Sequence, residues 1–101
     1  MRLIELNPFW IEFPFWFAFH CPHCRKVWLT CKTVPISMRR QFDAFSHLWG
    51  ECKWNAFVVP MREDTRWTFS SSDFASISVS PSIDASASGH WHGFITNGEI
   101  R

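Results

Sequence analysis

Phe9-Trp10-Ile11-Glu12-Phe13-Pro14-Phe15-Trp16-Phe17-Ala18-Phe19-His20-Cys21-Pro22-His23-Cys24 is the stretch from which the fold is read. Its odd positions from Phe9 to Phe19 are all large and apolar. Its even positions are mixed: Trp10, Glu12, Pro14, Trp16, Ala18 and His20. A period of two with one continuous apolar face predicts half-buried strand, here within a strand region over 3–19. Pro14 has no amide to give to a ladder, so an edge, a bulge or a break is expected there. Beyond the cysteines a second strand is expected through Val27, Leu29 and Cys31, with Trp28 on its other face. Paired with residues 15–20, it makes a hairpin whose tip carries Cys21 and Cys24.

Outward from this hairpin the pattern changes. Phe42, Phe45, Leu48 and Trp49 fall at helical spacing. Ser37 can cap the start and Gly50 the end, which predicts one helix over 38–49 inside an inserted segment of about 35–60. Trp54 to Val59 reads as strand ended by Pro60, and Trp67 to Phe69 is short and β-prone. In the Ser-rich segment 70–88, Ile77, Val79 and Ile83 interleave with serines. That predicts a polar-faced strand over 76–83 and a loop over 84–89. Pro81 fits an edge strand or a bend. Trp91 to Thr96, Asn97-Gly98 and Glu99 to Arg101 form the clearest hairpin, since a type I′ turn needs positive φ at both central residues. The expected fold is one α+β, β-rich domain over 1–101, built of antiparallel hairpins with one inserted helix.

Composition narrows the function. The chain has 101 residues and a net charge of +1, without the basic excess that phosphate neutralisation asks for. Nucleic acid is therefore not the expected partner. At 47% hydrophobic residues the chain is rich enough to fold. The most apolar run, Phe9 to Phe19, is interrupted and too short for a bilayer, and no signal-peptide pattern precedes it. A cytoplasmic protein is expected. There, Cys21, Cys24, Cys31 and Cys52 are better read as thiols or metal ligands than as a disulfide framework.

Cys21 and Cys24 form a C-x-x-C at a strand end, a spacing from which two thiolates bind one Zn²⁺. His90 and His92 are the leading candidates for the remaining ligands, because residues two apart on a strand share a face. Such a structural zinc would clip the N-terminal hairpin to the C-terminal one, and its binding energy would be folding energy. His20, His23, His47, Cys31 and Cys52 are competing ligands, although Cys31 and Cys52 also suit small apolar packing.

An enzyme is the alternative. Cys-Pro-His-Cys after an apolar strand is similar to the active-site turn of thioredoxin-fold thiol oxidants. That chemistry places the first cysteine at a helix N-terminus, and the β-branched, Pro-closed run Arg25 to Pro35 does not read as a helix. A zinc hydrolase would need an open coordination position and a general base, and no carboxylate near the motif is an obvious candidate.

The terminal third carries a resemblance. Trp67-Thr68-Phe69, Ser80-Pro81-Ser82-Ile83 and the run from His90 to Ile100, together with the Cys turn, resemble a small family of tailed bacteriophages and bacterial gene clusters. The family has no assigned activity. The resemblance implies a small zinc-bound β domain, with Cys21, Cys24 and His92 at ligand positions. The family's further cysteine before that histidine is absent here, which carries the fourth ligand onto His90. Arg25 stands where a small residue commonly follows the second cysteine. The resemblance implies a domain often phage-encoded, and the expected role is non-catalytic: a phage or prophage accessory protein acting by protein contact, with inhibition of a host defence complex as one form.

Eleven Phe and seven Trp are a heavy load for a small domain. Trp10, Trp16, Trp28, Trp49 and Trp54 are the candidates for an exposed aromatic face that binds a protein partner.

Overall fold

In the computed structural model of the chain, the apolar run 9–19 turns back on itself at Pro14. The structure describes residues 1–37, 39–41, 43, 59, 62 and 64–101. Strand β1 is Phe9–Glu12 and β2 is Trp16–His20, paired antiparallel with Phe9 opposite Ala18. Phe15 N–H donates to Glu12 C=O (2.8 Å) and closes the turn between them. Of the edge, bulge or break expected at Pro14, the break is what forms, and it divides the strand region expected over 3–19. Leu3–Leu6 form a 3-10 turn. The corollary is at the surface, where Phe13 and Phe15 are 63% and 48% exposed although they share the parity of the buried Phe17 and Phe19.

Strand β3, Trp28–Lys32, pairs with β2 from Trp16↔Lys32 to His20↔Trp28 and puts the cysteine turn at the hairpin tip, as expected. The first sheet therefore runs β1-β2-β3. The second runs β4-β5-β6-β7, with β4 Thr68–Phe69, β5 Val79–Asp84, β6 His92–Thr96 and β7 Glu99–Ile100. Pro81 lies in β5 within an irregularity of register between Val79 and Ile83, the bend option of the sequence reading. Asn97 and Gly98 take φ of 49° and 75° and form the β6–β7 turn.

Two seams join the sheets. Trp67 N–H donates to Lys32 C=O (2.8 Å) on the outer edge of β3, one residue before β4 begins. At the other side Leu3 N–H donates to Gly98 C=O, and Ile100 N–H donates to Met1 C=O. Between the sheets lies the main core: Phe17, Phe19, Leu29 and Cys31 from the first, Val79, Ile83 and Ile95 from the second, and Leu3, Leu6, Trp67 and Ile77 around them. Full burial of each such large side chain stabilises by roughly 1.5–3 kcal/mol. The opposite face of the first sheet is also covered, with Trp16 and Ala18 buried against Ile36.

Residues 39–41 and 43 are helical. Ser37 caps them: its Oγ accepts from Arg40 N–H (3.1 Å) and its C=O from Gln41 N–H (3.0 Å). The rest of the helix expected over 38–49, and the strand expected over 54–59 up to Val59, lie outside the described residues.

Candidate metal centre

The hairpin tip between β2 and β3 is shaped by its backbone. Cys21 N–H donates to Val27 C=O (2.9 Å), and Arg25 N–H donates back to Cys21 C=O (2.8 Å). Arg25 takes a left-handed φ of 56°, a conformation that suits glycine. The turn buries Cys21 completely and leaves Cys24 at the surface. Burial pushes the Cys24 thiol up, but donors on Lys26, Val27 and Cys21 outweigh it and hold its pKa below the ordinary value.

His90 reaches this tip from the other sheet. After β5, Asp84 Oδ1 accepts from Ser86 N–H (2.9 Å) and Oγ–H (2.5 Å), which starts a 3-10 turn over Ser86–Ser88. Gly89, at φ 77°, ends it. His90 N–H then donates to Ala85 C=O (3.1 Å), and Ala85 N–H to Trp91 C=O (3.0 Å), so the loop is pinned on both sides of the imidazole. Trp91 packs over Gly93, where an added Cβ would meet its ring at 2.5 Å, and it contacts Phe19 edge-on.

The ligand atoms of Cys21, Cys24 and His90 lie within 4.8 Å of one another. Cys24 Sγ and His90 Nδ1 are 3.7 Å apart. A thiolate about 2.3 Å and an imidazole nitrogen about 2.0 Å from one tetrahedral ion lie about 3.5 Å from each other, so the observed spacing fits a shared metal. Two thiolates and an imidazole are also the donor set that zinc favours. Three of the four residues expected from the sequence thus meet.

His92 does not join them. Strand β6 begins at His92, so His90 lies before the strand and the two-residue period that pairs the histidines does not extend to it. The His92 side chain is exposed on β6, opposite Asp84. The other candidates are placed as follows. His20 packs against Trp28 with ring centroids 3.8 Å apart and the rings tilted by 31°, and burial lowers its pKa. His23 is exposed in the turn. Cys31 is buried in the main core, where burial pushes its thiol well up. His47 and Cys52 lie outside the described residues.

The thiol-oxidant geometry is not built here. Residues 25–27 lead directly into β3, and no helix begins at Cys21. Nor do the described tryptophans form the expected exposed face. Trp16 and Trp67 are buried, and Trp10, Trp28 and Trp91 are half-buried; Trp49 and Trp54 lie outside the described residues. Among the described residues, Phe13, Phe15 and Phe94 are the exposed aromatics instead. The signal was Pro14, which makes its two neighbours a turn.

Among the described residues no helix is long and apolar enough to cross a membrane. Comparison with protein-family models, with curated proteins and with solved structures finds no match.

Proposed function

We propose that the chain is a non-catalytic, zinc-stabilised binding domain that acts by protein contact. The observation that carries this reading is the convergence of Cys21, Cys24 and His90 from two different sheets. A metal held there ties the β2–β3 tip to the loop before β6, and loss of the metal costs folding energy. Contact by way of the Phe13-Pro14-Phe15 turn is supported by its exposure and by the shallow cleft it lines with Thr33, Phe69 and Ser71. A phage or prophage accessory role rests on the resemblance of the terminal motifs, and inhibition of a host defence complex is one form that such contact could take.

Metal analysis of protein purified without added metal tests the first part. One zinc per chain, lost in Cys21→Ser, supports it; metal-free folded protein overturns it. For the second, Phe13→Asp/Phe15→Asp should leave the melting temperature within a few degrees while abolishing capture of a partner from host lysate. Capture unchanged by the double substitution removes this turn from the reading.

A further inference from the structure

The three donors form a triangle that runs from the interior to the surface. Its buried corner is Cys21 and its exposed corner is Cys24. Among the described residues, no fourth His, Cys, Asp or Glu completes it. His92 stands on β6 outside the group, and Cys31 is sealed in the core. Tetrahedral zinc takes four ligands, so one vertex is left to something other than these side chains.

The surroundings select the chemistry of that ligand. Two thiolates cancel the charge of Zn²⁺, so the centre itself is neutral. Arg25 and Lys26 follow Cys24 directly, both exposed, and neither pairs with an acid among the described residues. Among the described residues, the Arg25 guanidinium makes a long contact with Met1 Sδ (3.9 Å). A neutral metal one and two residues along the chain from two exposed cations favours an anionic donor as the fourth ligand.

We propose that the fourth coordination position belongs to an exogenous anionic donor, a carboxylate or thiolate supplied by a partner, and that water holds it at rest. The inference rests on the metal centre proposed above and goes beyond a purely structural zinc. Exchange at this vertex would leave the three protein ligands in place, so partner capture and domain stability become separate properties of one ion.

Cobalt(II) substitution tests this, with azide as the anionic probe. Cobalt reports its ligand field directly, whatever the protein does. The cobalt protein should show the visible spectrum of a tetrahedral site with two thiolates. Azide should shift its bands with saturation. Lys26→Ala should weaken azide affinity by about two- to fivefold, the size of one surface charge contact. Substitutions His23→Ala, His47→Ala, Cys52→Ser and His92→Ala should leave the resting spectrum unchanged. Bands that ignore azide, or a resting spectrum altered by any of these four substitutions, overturn the proposal while leaving a protein-closed metal site standing. Failure to bind cobalt at all overturns the metal centre itself.

Discussion

Arg25 is the residue at which local strain and the site meet. Its φ of 56° places a side-chain-bearing residue where the turn is best served by glycine. Arg25→Gly should therefore raise stability by about 1 kcal/mol, measured by denaturant unfolding at equal metal content. A loss would mean that the side chain contributes more than its backbone costs. Cys24 makes the second residue-level prediction. Its thiol pKa in the folded chain lies below the unfolded value, so the stability it contributes is present above the unfolded pKa and is lost as pH falls through the folded one. Protons compete with the metal for the same sulfur, in the same direction. Metal retention in dialysis should fall as the pH is lowered, and retention independent of acidification would speak against thiolate ligation. The cysteine pair was legible in the sequence because C-x-x-C is a local pattern. His90 was legible only as one of two histidines, because its position depends on a loop pinned by Ala85 and closed by Gly89. Nothing in the alternation of residues 90–96 marks where the strand starts.

At the scale of elements, turns decided what the apolar pattern left open. The odd-numbered aromatics from Phe9 to Phe19 promised one face, and two of them are on a turn instead. Parity holds within a strand and is lost wherever the chain reverses. The Asn97-Gly98 hairpin was readable because it needs two positive φ values, and it has them. Gly98 has a further constraint: an added Cβ would meet Ala75 C=O at 2.2 Å. Gly98→Ala should cost at least about 2 kcal/mol in a thermal or denaturant melt. The β2 aromatics set the comparison in the core. Phe17 is fully buried and contacts Trp10, Phe69 and Phe74. Phe17→Ala should cost about 3–5 kcal/mol, and a cost under about 1 kcal/mol would contradict this packing.

For the whole molecule, the described residues hold the sheets by two means. The shared core supplies the bulk of the burial. Backbone bonds at Trp67 and at Leu3 stitch the flanks. The Cys21, Cys24 and His90 side chains come together where the β2–β3 tip meets the loop before β6, near Phe19 and Trp91, and a metal bound there would tie the two. A β-rich domain of paired hairpins was readable from strand periods and turn residues. The joining of the hairpins into two facing sheets was not, because the backbone bonds from Trp67 to Lys32 and from Leu3 to Gly98 have no side-chain signature. The most direct test of the account is a thermal melt of purified protein with and without a zinc chelator, run beside metal analysis. One zinc per chain is expected, with a melting temperature lowered by many degrees on chelation and Cys21→Ser already at the lowered value. A folded, metal-free chain whose melting temperature ignores the chelator would contradict it.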